Sequence, residues 1–327
     1  MSGAHHPAKE LASFHHSSEQ YVYRMDFIRK RLSESNIVFD FDAVIGRGGL
    51  LKPLEGGVYL VNENMKKDLR NAPMDHACNL GGLLADAIAQ ECGCKAFIAD
   101  PVVVDEMDCV SRYTGIPEIK RISVFHALNS KACSRKYAAS IAKKYEDLNL
   151  IVAHIGGGIS VSAHKRGRVV DVNNALNGEG PFSTERAGTI PAGQLVDLCF
   201  SGKYSKQQIM KLIHGRGGMT AYFGNNDMIT ISSMAENGEK EYVNVLNAMI
   251  YTIAKQIGAM FVTLEGNVDA IILTGGIAHS KYCMALLEKR IGFLGNIVIM
   301  PGENEIESLA YNAFGVLKGE IQTKEYI

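Results

Sequence analysis

Apolar residues in the first part of the chain recur at helical intervals. Leu11, Phe14, Tyr21, Met25, Ile28 and Leu32 stand among polar neighbours and predict a helix over 8–35. The period then shortens, and Val38 to Ile45 predicts a strand that runs into Gly46-Arg47-Gly48-Gly49. A stretch rich in Ala, Gly and Leu over 71–91 predicts a helix buried against a sheet, and 96–99 a strand stopped by Asp100-Pro101. A strand over 122–125 leads to His126, where a helix opens and continues to Tyr145. From Val152 to Ala163 an apolar run reaches Gly156-Gly157-Gly158 and resumes as alternation, which predicts a β-hairpin whose turn has no side chains. Lys165 to Arg168 turn the chain into a further strand over 169–172. Short helices are expected over 191–200 and 208–214, with a helical turn within 228–236. The longest helix covers 239–264, its core face drawn by Val243, Leu246, Ile250, Ile253, Ile257 and Met260. A buried strand over 269–274 meets Gly275-Gly276; helix 281–292, strand 296–300 and amphipathic helix 306–318 follow. Strands alternating with helices place the chain in the α/β class.

Length and composition narrow the function classes. A chain of 327 residues with 46% hydrophobic residues accommodates two domains with sizeable cores. Its 34 Lys and Arg nearly balance 35 Asp and Glu, so there is no basic field for nucleic acid and no basic amphipathic stretch for a membrane surface. No apolar run approaches the ~18–20 residues of a membrane span. Residues 1–7 lack the apolar centre of a signal peptide, and seven scattered cysteines fit reduced thiols, so a cytoplasmic location is expected. Cys92 and Cys94 form a C-x-C without a second pair. The histidines at 5, 6, 15 and 16 read as solvated helix-start residues.

Candidate chemistry lies at strand ends. Gly156, Gly157 and Gly158 allow backbone N–H groups to approach an anion closely, and the bland reading is an ordinary glycine-rich turn. Arg47 stands at the carboxyl end of a strand with glycines on both sides, a placed cation or else a solvated loop arginine. Asp100 either caps the next turn or presents a carboxylate to a ligand. His126 follows a strand end and is either structural or a ligand contact. Thr274-Gly275-Gly276 repeats a glycine-rich strand end about 120 residues after the first. Neither glycine turn belongs to a Walker loop or to a G-x-G-x-x-G dinucleotide motif.

Together, HIGGGISVSAHKRGRVVDVNNALNGEGPFSTERAGTIP, DPVVVDE, SVFHALN, IGRGGLLKPLEGGVY and IILTGGIAHS resemble the butyrate kinases of the acetokinase family, in the acetate and sugar kinase, Hsp70 and actin superfamily. The resemblance runs from about His6 to Glu320. It implies a two-domain ribonuclease H-like, actin-like ATPase fold, with an amino-terminal domain over 1–149 onto which 305–327 pack back, and a nucleotide-binding domain over 150–304. It implies ATP-dependent phosphorylation of a short-chain fatty acid to an acyl phosphate, with ATP/ADP and Mg²⁺ as cofactors and a homodimer or higher homo-oligomer as the assembly. By the same resemblance Gly156, Gly157 and Gly158 form a phosphate loop with His154 beside it, and Gly275 and Gly276 form the adenosine loop. Arg47, His126, Arg186 and Asp100 take catalytic positions, and Asp100 with Glu305 the metal positions, Glu305 being the loosest correspondence. Acetate kinases carry an Asn within the phosphate turn, where this chain has Gly157.

The chemistry suits those residue types. A carboxylate is a weak, anionic nucleophile and must approach a charged phosphate, so catalysis is mainly positioning and charge neutralisation. Forked arginine donors, an imidazole N–H and hard carboxylate ligands for Mg²⁺ supply both. The chain departs from the family at its start: the N-P-G-S-x-S-x-K type hairpin, the family's first phosphate loop, has no counterpart before HPAKELASF. The amino-terminal domain is therefore expected to lack its first strands. The alternatives are a nucleotide-binding relative with impaired or lost turnover and, as a third reading, a phosphatase of the same fold using Asp100 as base.

Overall fold

The computed structural model describes residues 6, 8–11, 13–303 and 305–327, so His5 lies outside the described residues. The chain divides into two compact units, one running to Val104 and resuming at Glu305–Ile327, the other Asp105–Asn304. Strands β1 (Ala43–Arg47), β2 (Val58–Leu60) and β3 (Lys95–Ala99) belong to the first unit. Strands β4 (Asn149–Ile155), β5 (Ile159–Lys165), β6 (Arg168–Val172), β7 (Ala270–Gly275) and β8 (Ile297–Pro301) belong to the second. The two-residue β9 (Thr323–Lys324) returns to the first. The sequence suggests a boundary at 149, whereas the contacts group 105–149 with the second unit, because helix Ala127–Ser140 packs on β4 and β7.

The first sheet has the order β1-β3-β2-β9, with β1 and β3 parallel and β2 antiparallel to β3. Helix Leu80–Cys92 lies directly against β1. Gly46 makes that approach possible, since a Cβ there would run into the carbonyl of Gly81. The helix ends at Gly93, whose φ of +68° is the left-handed stop that glycine adopts most readily.

The second sheet has the order β6-β5-β4-β7-β8. β4, β5 and β6 form an antiparallel meander, and β7 and β8 add in parallel after helical crossovers. Both faces are covered, so the period-2 alternation sorts residues between two cores. Ile151, Ala153, Ile155, Ile271 and Leu273 pack with helices Lys240–Thr263 and Lys281–Ile291. Leu150, Val152, Ala270 and Ile272 pack on the opposite face against Cys133, Tyr137 and Ala138 of helix Ala127–Ser140. Helix Lys240–Thr263 is long and apolar enough to cross a membrane by length and composition, yet its stripe of Leu246, Met249, Ile250, Ile253, Ile257 and Met260 is buried in this core. Each such side chain contributes roughly 1.5–3 kcal/mol by leaving water.

Several local expectations change. In place of one helix over 8–35 there are Ala8–Leu11, a 3-10 turn Ser17–Gln20 and helix Tyr21–Glu34. Glu19 and Asp75 carboxylates accept the backbone N–H groups of His15, His16 and Ser17, which draws the chain out of the helical ladder. Residues 39–42 stay outside the sheet, with Asp40 N donating to Val38 O in a local turn. The region before Leu80 holds a separate helix, Glu63–Arg70, capped by Asn62, and Pro73 breaks the chain after it. Among the described residues, 122–125 join no strand; Val124 O accepts instead from Ala175 N.

Candidate active site

In the second unit the site grows from the end of β4. Even-numbered residues of β4 face helix Ala127–Ser140, so His154 points to the side from which that helix begins. His154 pairs in register with Ser160 of β5 and Thr274 of β7, which sets the three in a row across the sheet. His126, at the helix start, stacks on His154 with ring centroids 3.7 Å apart and planes 7° from parallel. Its Nδ1 lies 2.9 Å from Ser160 Oγ. Asn129, one turn later, places Nδ2 2.8 Å from His154 Nδ1 and 3.2 Å from Thr274 Oγ1. His154 Nε2 lies 4.0 Å from Glu303 Oε1.

The hairpin turn follows at once. Gly156 N donates to Gly158 O at 3.2 Å, while Ser183 and Thr184 hydroxyls donate to Gly157 O at 2.6 and 3.4 Å. Among the described residues the Gly157 and Gly158 N–H groups meet no protein acceptor, as an anion-binding turn requires. Gly158 has a second reason to be glycine: a Cβ there would overlap the Arg186 guanidinium. Arg186 Nη1 donates to Ala175 O at 2.5 Å. Burial lowers the Arg186 pKa from its ordinary value and Glu185 opposes the shift, but a guanidinium remains charged. The result is a cation held in a partly desolvated position beside the glycine turn. Ser183 N to Arg186 O and Met219 N to Ser183 O fix its loop. Upstream, Glu179 accepts from Arg121 Nε at 2.6 Å and Asn174 N at 2.9 Å.

Gly275 ends β7 beside this turn. Its φ is +93°, and a Cβ would meet the backbone of Ile155. Gly275 and Gly302 exchange backbone hydrogen bonds at 3.1 and 3.0 Å. Gly276 begins the 3-10 turn Gly276–His279, with open space where a side chain would be.

In the first unit Arg47 and Asp100 stand at the carboxyl ends of the adjacent parallel strands β1 and β3, Arg47 in register with Ala99. Arg47 Nη1 lies 3.0 Å from Glu305 Oε2, so two of the sequence candidates form an ion pair. Asp100 is 1% exposed, has a φ of +36°, and accepts from Gly57 N at 2.8 Å. A non-glycine residue held in that region is strained, and such strain collects at functional sites. The glycines around Arg47 serve packing as well as access: Gly48 lies against Pro101 and Ile98, and Gly49 against Asn79. Val103 and Val104, an apolar run beside Asp100, are buried at 6% and 0% exposure and belong to the core.

Within the second unit the structure thus gathers His126, His154, the glycine turn, Arg186 and Gly275; within the first, Arg47 and Glu305, with Asp100 one strand away. Sequence reasoning missed Asn129, Ser160, Thr274, Ser183, Thr184 and Glu303. Asn129 was legible in part, standing one helical turn from His126, but Ser160 and Thr274 join only through strand register.

The two units, each an α/β layer around its own sheet, have the ribonuclease H-like, actin-like ATPase fold. The chain belongs to the acetokinase family, whose profile it matches over residues 114–313. It is 66% identical to a probable butyrate kinase of Phocaeicola vulgatus over 99% of this chain and 92% of the relative. It is 50% identical to butyrate kinase 2 of Clostridium acetobutylicum over 98% of this chain and 91% of that one. Among solved structures, Porphyromonas gingivalis acetate kinase superposes with a TM-score of 0.76 at 19% identity, covering 90% of this chain and 84% of that one. A Francisella tularensis propionate kinase gives 0.71 at 19% identity, covering 87% and 82%.

Proposed function

We propose that the protein transfers the γ-phosphoryl group of ATP to a short-chain carboxylate, with butyrate the preferred acid, forming the acyl phosphate and ADP reversibly. The bond from γ-phosphorus to the bridging oxygen breaks, the bond from a carboxylate oxygen to phosphorus forms, and no proton needs removal from the ionised acid. The observation that carries this is the half-buried Arg186 guanidinium against Gly158, in a chain 66% identical to a probable butyrate kinase. N–H groups of the 156–158 turn and His154 would hold phosphate oxygens, and Arg186 would neutralise charge on the transferring group. His126 would donate to an equatorial oxygen and Arg47 would bind the carboxylate; Gly275 and Gly276 would form the adenosine loop, with open space at Gly276.

Mg²⁺ is part of this reading. Asp100 and Glu305 offer hard oxygen ligands, Asp100 with Gly57 N on one oxygen and Glu305 beside Arg47. Among the described residues no group of three or more His, Cys, Asp or Glu gathers to hold an ion, so water and phosphate would complete its shell. The ion would neutralise phosphate charge. The reading also includes a cytoplasmic location, suited to seven free cysteines, and a homodimer or higher homo-oligomer. Helix Ala192–Phe200 supports the latter, being apolar in composition yet without a buried residue, with Phe200 86% exposed.

Hydroxamate trapping of acyl phosphate with purified chain, ATP, Mg²⁺ and butyrate tests the reaction. Turnover lost in Arg186→Ala by ~10³ or more supports it, the value of an arginine at a transferring phosphate. Absence of turnover in the unsubstituted chain refutes it. The alternative of a nucleotide-binding relative without turnover finds no support in the relatives' names, and the same assay decides it.

A further inference from the structure

We propose that Asn129 is a positioning residue that fixes His154 in its Nε2–H tautomer, through a one-way chain of hydrogen bonds anchored at Gly302. Thr274 Oγ1 donates to the Gly302 carbonyl at 3.0 Å, and a carbonyl only accepts. With its proton committed there, the Thr274 hydroxyl accepts from Asn129 Nδ2 at 3.2 Å. The second Nδ2 proton then goes to His154 Nδ1 at 2.8 Å, so Nδ1 carries the lone pair and Nε2 the proton. The opposite amide orientation would turn the NH₂ group from these two acceptors to the Cys133 thiol. In the observed orientation Cys133 Sγ instead approaches Asn129 Oδ1 at 3.6 Å and Thr274 Oγ1 at 3.4 Å.

The chain of bonds is buried. His154 is 1% exposed, Asn129 1% and Thr274 0%. Solvent therefore does not compete for these donors and acceptors, and a mismatched pair would leave a buried polar group unsatisfied. The consequence falls on the glycine turn. His154 Nε2 is the ring atom nearest Gly156, 3.3 Å from where a Cβ of that residue would stand. A proton on Nε2 makes His154 a hydrogen-bond donor at the edge of the turn, the polarity an anion requires. The other tautomer would present a lone pair there and repel it. Thr274 immediately precedes Gly275, so the chain that orients the histidine also joins the two glycine strand ends.

The inference rests on the proposed kinase reading only for its effect on turnover; the tautomer itself is read without any reaction. With ¹⁵N-labelled histidine, and His154 assigned through a His154→Gln spectrum, the neutral ring should show a pyridine-type Nδ1 and a pyrrole-type Nε2. Asn129→Asp keeps the size of the side chain but turns the donor into an acceptor, and should move the proton to Nδ1. Thr274→Val removes the acceptor that orients the amide and should give a mixture of tautomers, which keeps the test available if Asn129→Asp fails to fold. In the hydroxamate assay Asn129→Asp should lower kcat by on the order of ten- to a hundredfold, the range for outer partners that orient a metal-bound imidazole. A wild-type Nδ1–H ring, or His154 resonances unchanged in both variants, would overturn the proposal. An altered tautomer with unaltered kcat would overturn its positioning role. A chain that shows the expected tautomer but makes no acyl phosphate would instead refute the kinase reading.

Discussion

Replacing Gly158 by alanine probes the contact on which the site depends. An added Cβ would overlap Arg186 Nη1 outright and stand 2.5 Å from Cζ, where ordinary contact begins at 3.4 Å, so the guanidinium must retreat by at least 0.9 Å (3.4 minus 2.5). Misplacing a catalytic group by ~1 Å lowers rates by ~10²-fold, which is ~2.7 kcal/mol of barrier. The fold should tolerate the change better than the reaction, because the displaced atoms are a side-chain tip. The loss from folding stability is bounded by the hydrogen bond to Ala175 O, ~1.5–3 kcal/mol for a charged donor. Gly157→Ala is the matched control: its Cβ would lie 4.0 Å from Thr184 Oγ1, and φ is not in the left-handed region. Acyl phosphate trapped as hydroxamate gives kcat/KM for each variant, and urea titration gives stability. If Gly158→Ala acts through Arg186, adding it to Arg186→Ala should lower the rate little further, since contacting residues are not additive. A Gly158→Ala rate within roughly threefold of wild type, about 0.65 kcal/mol, would refute the reasoning.

Gly275→Ala should destabilise the second unit by ~2–5 kcal/mol, adding strain at φ +93° to overlap with the Ile155 backbone; an unchanged urea midpoint would count against it. Lys131 pairs with both Glu106 oxygens at 2.9 Å, and both residues are buried, so Lys131→Met should lower stability by ~3–5 kcal/mol in the same titration. Burial raises the Cys78 thiol from 9.0 to about 11. The folded state disfavours the thiolate, so this contribution to stability is intact below pH 9 and is lost as pH rises toward 11. At pH 8 an alkylating reagent followed by mass spectrometry should label exposed Cys109 and Cys199 and spare Cys78 until the protein unfolds. Butyrate should exceed acetate in kcat/KM, but only partially, since a methylene in an apolar pocket gives ~10–200-fold; equal constants would count against a butyrate preference.

Much of the second unit was legible in the chain itself. The alternation from Val152 to Ala163 and the triple glycine specify a hairpin because side-chain period and turn chemistry are local properties. The apolar stripe of the long helix, found at Lys240–Thr263, is equally local. The aspartate–phenylalanine alternation over 39–42 misled for the same reason: alternation reports a half-buried face, whereas a strand also needs a neighbour to accept its hydrogen bonds, and among the described residues no strand pairs there.

The residues named from the glycine-rich stretches were recognisable by type and spacing, but their relations were not. That Gly158 is kept small by Arg186, 28 positions later (186 minus 158), depends on a loop held by Ser183, Met219 and Ala175. That His154 is flanked by Ser160 and Thr274 depends on the register of an antiparallel and a parallel pair at once. Local sequence sets which residues lie on one face of a strand. Which strands lie side by side, and in what register, is set by long-range packing of two cores on a shared sheet. The chain alone therefore determined the hairpin, the helices and the chemical types at the strand ends, while the tertiary structure decided which of them touch and which proton each donates.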